Sequence, residues 1–234
     1  MRMLNRLSVV LLASASVIAT PAAATDYLFD EDGDAYTIYF DGFSGDPSNT
    51  IPGLTSNLYL QLDGGIGTDV LTFSYVLTNT STVGGDDSRV SGFAFNSTPN
   101  ATGGDADDAG EFDNVILGGG YPNNIGSVEV CLTNSAACQG GGGGGAGAYL
   151  GDPATGTFTL EYGDPVASLY LGDFWVRYQG LSGLGQVTSA SGGDTPPVPE
   201  PSTWAMMLFG FGALGFAMRR RRQQVPGQRV RFAF

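Results

Sequence analysis

Two short acidic segments have the oxygen-rich composition that a calcium ion needs. The first is DEDGD, residues 30–34, and the second is GGDADDAGEFD, residues 103–113. Their candidate ligands are Asp30, Asp32 and Asp34 in the first segment and Asp105, Asp107 and Asp108 in the second. The first three alternate like the start of an EF-hand loop, but a glycine stands at the fourth position and Asp41 at the twelfth, so the motif departs from that pattern. Since turns also favour Asp and Gly, a turn between strands explains the first segment equally well.

Acid–base chemistry by paired carboxylates is a second candidate, and Glu111, Glu129 and Glu161 are the residues that would carry it. Such pairs hydrolyse glycosidic bonds. The absence of histidine from the sequence excludes serine–histidine triads and argues against zinc sites. However, 22 of the 23 acidic residues lie within residues 25–198, so a nearby pair is expected by chance. Solvated surface acids are the simpler interpretation, and we predict a protein that is not an enzyme.

The N-terminal segment predicts export. Two arginines precede an apolar run over residues 7–18, and three small residues end at Ala24. This order is typical of a secretory signal peptide, which we assign to residues 1–24 with cleavage after Ala24. No polar helical face interrupts the run, which argues against an amphipathic helix at the start of the fold.

Cys131 and Cys138 are the only cysteines in the sequence. In an exported protein an even pair forms a disulfide by default, because the compartment is oxidising. A metal site would need more thiolates or histidines, and a redox pair would be closer in sequence. We therefore predict a disulfide between Cys131 and Cys138.

The elements that must position these residues are strands, because the middle of the chain alternates large apolar residues with polar ones. The clearest run places four such residues on one face, namely Leu71, Phe73, Tyr75 and Leu77. The pattern recurs at residues 36–40, 57–62, 89–95, 156–162 and 168–178, with Gly, Asn, Asp and Pro between. It predicts an all-β domain over residues 25–188, an antiparallel β-sandwich or jelly roll.

The domain is strongly acidic. Between residues 25 and 198, 22 acidic residues face only two basic ones, Arg89 and Arg177, which gives a net charge of −20. Such a surface repels phosphate backbones and therefore excludes nucleic acid as a partner, leaving cations and uncharged polymers. We predict that Phe174 and its alternate neighbours face the core and that Arg177, on the opposite face, pairs with a carboxylate.

Three features follow the domain. Residues 189–198 are rich in Gly, Pro and Ser and predict an extended linker. Residues 203–218 carry no charge and would form about 24 Å of helix, against a hydrocarbon core of about 30 Å. The arginines that follow would stay on the cytoplasmic side, which makes residues 223–234 a cytoplasmic tail. A single membrane helix is therefore predicted at the C-terminal end.

Residues 199–222 resemble the PEP-CTERM sorting signal, which joins a Pro-Glu-Pro triplet, a short apolar helix and an arginine cluster. The matching residues are Pro199, Glu200, Pro201, Arg219, Arg220, Arg221 and Arg222. The resemblance implies sorting by exosortase, a membrane-embedded cysteine protease of Gram-negative bacteria that make exopolysaccharide. It further implies a protein held briefly in the inner membrane and then found at the cell surface or outside. An ordinary single-span anchor is the alternative.

Four further segments carry a second resemblance. They are TNTS (78–81), RVSGFAF (89–95), VEVCLTNSAACQGGGGGG (128–145) and LGDFWVRYQGL (171–181). They occur in the same order in proteins of the cistern family of PEP-CTERM proteins, which the chain resembles over most of its mature length. The resemblance implies a shared extracellular fold and sorting route. That family has no established activity, so no catalytic residue is carried over.

These observations predict an exported, non-catalytic protein of the cell surface or extracellular matrix, associated with exopolysaccharide or biofilm. Two alternatives stay open: a hydrolase of extracellular polysaccharide, and a calcium-dependent carbohydrate-binding module. A hydrolase needs a cleft with two carboxylates about 5 to 10 Å apart. A binding module needs an aromatic face or cation loops. Apart from calcium, no cofactor is expected.

Overall fold

The computed structural model describes residues 26–107, 109–139, 145–195 and residue 211. Within these ranges the chain forms twelve β-strands. They are β1 (Tyr27–Phe29), β2 (Ala35–Phe43), β3 (Thr50–Gly64), β4 (Val70–Asn79), β5 (Arg89–Thr98), β6 (Gly103–Ala106), β7 (Asn114–Tyr121), β8 (Gly126–Thr133), β9 (Ala148–Tyr149), β10 (Ala154–Glu161), β11 (Leu169–Gln179) and β12 (Ser189–Asp194). The period-two segments of the sequence thus form strands, as predicted.

Several predictions concern residues outside the described ranges. These are the signal peptide of residues 1–24, the sorting residues 199–222 with their membrane helix (residue 211 excepted), the tail 223–234, and Asp108. In the portion of the chain that is described, no helix has the length and apolar character needed to cross a membrane.

All twelve strands belong to one antiparallel sheet. The main path runs β6-β10-β4-β3-β2-β12-β11-β5-β8-β7, while β1 pairs with β11 and β9 pairs with β5. The two ends of the path, β6 and β7, contact each other, so the sheet is rolled and nearly closed. The predicted all-β antiparallel class is confirmed. The predicted division into two stacked sheets is replaced by one continuous rolled sheet.

The inner face of the sheet encloses an aromatic core. The four apolar residues of β4 predicted to share a face, Leu71, Phe73, Tyr75 and Leu77, are all buried. On the neighbouring strand β10, Phe158 lies opposite Phe73, and the two rings stack with their centroids 5.2 Å apart. Aromatic pairs of this kind contribute about 0.5–1.5 kcal/mol beyond the area they bury. The alternation of β4 therefore places its large side chains where the sheet rolls inward.

Strand β11 divides its side chains between the two faces, as predicted. Phe174, Val176 and Tyr178 are fully buried in the core. The Tyr178 hydroxyl lies 2.8 Å from the Ser56 hydroxyl in a buried hydrogen bond, and burial raises the pKa of Tyr178. The side chain of Trp175, which lies between Phe174 and Val176 in the sequence, is on the outer face of the sheet.

Strand β12 corrects the predicted linker, because Ser189–Asp194 is a strand in the middle of the sheet. It pairs with β11 through residues 189–193 and with β2 through residues 191–194. Without β12, the strands from β6 to β2 and those from β11 to β7 would form two separate sheets. The segment that composition assigns to a linker is therefore the strand that makes the sheet continuous.

The glycines of β12 are required by the bulk of its neighbours. A Cβ atom added at Gly192 would lie 2.7 Å from Val176 Cγ2 and 2.9 Å from Tyr178 Cε2. A Cβ atom added at Gly193 would lie 2.7 Å from Cζ3 of Trp175, on the other face. Glycine weakens an isolated strand, but it permits close approach where large side chains crowd the backbone. The small residues of β12 thus match the large residues of β11.

We expect Gly192→Ala to lower the free energy of unfolding by about 1–3 kcal/mol, because the added methyl group overpacks the core against Val176 and Tyr178. Gly163→Ala is the matched control, since an added Cβ there meets no atom within 4 Å. The control should be neutral or slightly stabilising, because alanine restricts the unfolded chain. Urea denaturation measures both. Equal midpoints for Gly192→Ala and the wild type would mean that residue 192 is not packed between strands.

Candidate functional site

The first acidic segment forms a turn between β1 and β2. Oδ2 of Asp34 accepts hydrogen bonds from the backbone N–H groups of Asp30 at 2.9 Å and Glu31 at 3.0 Å. These hydrogen bonds, that from Asp30 first, lower the pKa of Asp34. Oδ1 of Asp32 accepts a hydrogen bond of 3.0 Å from the backbone of Ile66, in the turn between β3 and β4. Two of the three candidate calcium ligands are therefore engaged in holding turns together.

The second acidic segment lies at the end of β6. Asp105 and Asp107 are exposed, and Oδ1 of Asp107 accepts a hydrogen bond of 3.0 Å from the backbone of Ala109. Over the residues that the structure describes, no three His, Cys, Asp or Glu side chains are grouped as a metal ion would require. Calcium at either segment stays a prediction that the described geometry does not support.

Glu129, one of the three candidate catalytic residues, lies on β8 and binds the chain at the end of β5. Its Oε2 accepts a hydrogen bond from the backbone of Ser97 at 2.8 Å, and its Oε1 accepts from the Ser97 hydroxyl at 3.0 Å and from the backbone of Ala101 at 2.6 Å. Both carboxylate oxygens are therefore committed to residues 97–101, which comprise the end of β5 and the loop after it. These three hydrogen bonds give the Glu129 carboxylate a structural role.

The other two candidate glutamates have different surroundings. Glu111 lies between β6 and β7, and its Oε1 accepts a hydrogen bond of 2.7 Å from the backbone of Gly147. It thereby anchors the chain just after the glycine run. Glu161 ends β10, where its side chain is exposed and lies against Gly103. None of the hydrogen bonds described here joins two of these glutamates.

The predicted disulfide between Cys131 and Cys138 is present, with the two Cα atoms 5.8 Å apart. It belongs to a small apolar cluster separate from the main core, which also contains Ala94, Tyr121 and Val128. Trp175 packs against this cluster. The disulfide thus stabilises the outer side of β8, where the sheet would otherwise expose apolar surface.

Arg177, the half-buried cation of β11, has neutral partners in its described contacts. Its guanidinium donates to the Ser189 hydroxyl at 2.9 Å and to the Ala190 carbonyl at 3.4 Å. Burial lowers the pKa of Arg177. The predicted carboxylate partner is not among these contacts. Arg177 instead holds β12 against β11.

The pocket at Trp175, on the outer face of the sheet, was not predicted from the sequence. Trp175 lies across Gly193, and its ring meets that of Phe43 edge-on with centroids 6.2 Å apart. Asp41 lines the same pocket. The sequence places Trp175 on the outer face of its strand, but only the register of β12 brings Gly193, Phe43 and Asp41 beside it. No spacing within the sequence could have indicated that group.

These observations define an acidic all-β domain with a disulfide, whose last strand runs directly into the C-terminal segment. Residues 197–222 match the PEP-CTERM protein-sorting motif, which confirms the resemblance of residues 199–222 to that signal. The motif indicates an exported protein that exosortase processes at the membrane. The resemblance to the cistern family stays a prediction. No curated protein and no solved structure matches the chain.

We expect Glu129→Gln to lower the free energy of unfolding by about 1.5–3 kcal/mol, because hydrogen bonds to a charged acceptor are lost and an amide N–H₂ replaces one acceptor oxygen. Glu161→Gln is the matched control on an exposed glutamate and should change stability by less than about 0.5 kcal/mol. Thermal and urea unfolding measure both. Equal free energies of unfolding for the two variants would contradict a structural role for Glu129.

Proposed function

We propose that this protein is a non-catalytic component of the cell surface or extracellular matrix that associates with exopolysaccharide. The observation that carries the proposal is the short distance along the chain between fold and sorting motif. Strand β12 ends at Asp194, and the motif begins at residue 197. The motif therefore delivers this domain.

The use of carboxylates supports a non-catalytic role. A glycosidase needs one carboxylic acid that holds a proton and a second carboxylate facing it across the substrate. Glu129 gives both oxygens to three donors of the loop that it ties down, and Glu111 anchors Gly147. Both carboxylates therefore accept structural hydrogen bonds, which compete with a role in proton transfer. Hydrolysis of extracellular polysaccharide is the second candidate function and is an outcome of the test below.

The charge of the domain supports an uncharged polymer as the partner. The 22 acidic and two basic residues of positions 25–198 would repel an anionic polysaccharide at low salt. An uncharged polysaccharide meets no such repulsion. It would be recognised through hydroxyl and aromatic contacts, which do not depend on net charge.

The test compares a bacterial host that has exosortase and makes a neutral exopolysaccharide with the same host lacking polysaccharide synthesis. We expect the protein in the matrix fraction of the first host and in the culture medium of the second. The purified exported protein should also co-sediment with that polysaccharide and release no new reducing ends. An identical distribution in both hosts, together with no co-sedimentation, would overturn the proposal. Release of reducing ends would favour the hydrolase.

A further inference from the structure

A shallow pocket of about 190 Å³ lies on the outer face of the sheet, where β2, β12 and β11 run side by side. The strand registers place Asp41, Gly193 and Trp175 in one row across this face. Phe43, Thr50 and Thr195 complete the lining that matters for recognition. Asp194 lines it as well, so the pocket combines two aromatic rings, two carboxylates and two hydroxyl groups over a floor of glycine.

The glycine floor gives the indole its position. A side chain at Gly193 would collide with the six-membered ring of Trp175, since an added Cβ would lie 2.7 Å from its Cζ3 atom. The indole also packs against the disulfide cluster, and the ring of Phe43 meets it edge-on. Trp175 is half-buried, so part of its ring stays accessible in the pocket. An aromatic side chain fixed in this way binds with little loss of conformational entropy.

The chemistry of the lining matches a pyranose ring. A pyranose has an apolar side of C–H groups, which pack on the electron-rich face of an aromatic ring, and hydroxyl groups around its edge. Asp41 is exposed and offers carboxylate oxygens to such hydroxyl groups, while Thr50 offers a donor and acceptor. The Thr195 hydroxyl donates to the Tyr39 carbonyl at 3.2 Å and offers its oxygen as an acceptor. A few polar groups around an apolar surface is the usual composition of a small-ligand site.

The charge of the surroundings selects among sugars. Asp41 and Asp194 both line the pocket, and the domain as a whole carries a net charge of −20 from 22 acidic and two basic residues. A uronic acid or a sulfated sugar would meet like charges there. A neutral hexose meets none, and its hydroxyl groups can donate to the carboxylates.

We propose that the Trp175 pocket binds one hexose unit of a neutral polysaccharide, with the sugar ring stacked on the indole and its hydroxyl groups on Asp41. This inference rests on the proposed function and names the site and the sugar class. In this proposal Asp41 accepts hydrogen bonds from the sugar, Trp175 stacks on it, and Gly193 leaves room for the indole to lie across β12.

The surface next to the pocket extends the site along a polymer. Tyr39, two residues before Asp41 on the same face of β2, is 55% exposed, and Tyr59 on β3 is 39% exposed. The neighbouring outward positions Thr37 and Asn57 lie opposite Tyr59 and Tyr39 and are uncharged. These four residues present aromatic and uncharged polar side chains to a polymer that leaves the pocket. Oligosaccharides of increasing length should therefore bind with increasing affinity.

The experiment is affinity electrophoresis of the exported protein in gels that contain a soluble neutral β-glucan, with dextran and alginate as neutral and anionic comparisons. We expect retardation by a neutral polymer, and a loss of affinity of about tenfold or more in Trp175→Ala and in Gly193→Ala. Gly193→Ala keeps every polar and aromatic group of the pocket but displaces the indole, since its Cβ would lie 2.7 Å from Cζ3 of Trp175. Tyr170→Ala is the matched control, since Tyr170 is an aromatic of the same strand that is 45% exposed outside the pocket. Melting temperatures check that each variant is folded.

Equal retardation of the wild type, Trp175→Ala and Gly193→Ala would overturn the pocket while leaving polysaccharide association intact. Retardation by alginate alone would overturn the neutral-sugar assignment. Failure of the wild type to co-sediment with host exopolysaccharide, by contrast, would overturn the proposed function itself. Loss of binding in folded Gly193→Ala with normal binding by Tyr170→Ala supports the proposal.

Discussion

The structure depends on β12, a strand with small side chains, pairing between two strands that have large side chains. Strand β12 has the sequence Ser-Ala-Ser-Gly-Gly-Asp, and it lies between β2 and β11. Added side chains at Gly192 or Gly193 would meet Val176, Tyr178 or Trp175 at distances of 2.9 Å or less. The large side chains of β11 therefore limit which residue types β12 can contain. Because β12 fits, the two groups of strands on either side of it join into one sheet that rolls around a single core.

The rolled sheet also explains how the domain tolerates its charge. In the described ranges the buried polar residues are Ser, Thr and Asn, and no Asp, Glu or Arg is among them. The buried Asn79 is itself satisfied, since it donates to the Ser88 carbonyl and accepts from the Ser81 backbone. Each described acidic residue keeps some exposure to water, where repulsion between like charges is weak and is largely screened beyond about 10 Å at 0.1 M salt. The acidic composition therefore affects the partners of the domain more than its fold.

Period-two alternation predicted the strands and their inner faces correctly, because that signal is local. The disulfide was predictable for a similar reason, since two cysteines in an exported chain leave one pairing. The role of Ser189–Asp194 was not predictable, because a glycine-rich strand and a linker have the same composition and differ only in their neighbours. The same limit applies to Glu129, whose donors come from residues 97–101, and to the pocket at Trp175, which is assembled from three strands.

The position of β12 has a consequence for sorting. The motif that exosortase recognises starts at residue 197, three residues after β12 ends at Asp194, and β12 is bonded on both sides. Hydrogen exchange of the amides of residues 191–193, which pair with both β2 and β11, tests this most directly. Protection equal to that of the central residues of β2 and β11 is the predicted result. Exchange within about tenfold of the random-coil rate would contradict it, because a segment that opens so readily cannot hold the sheet together.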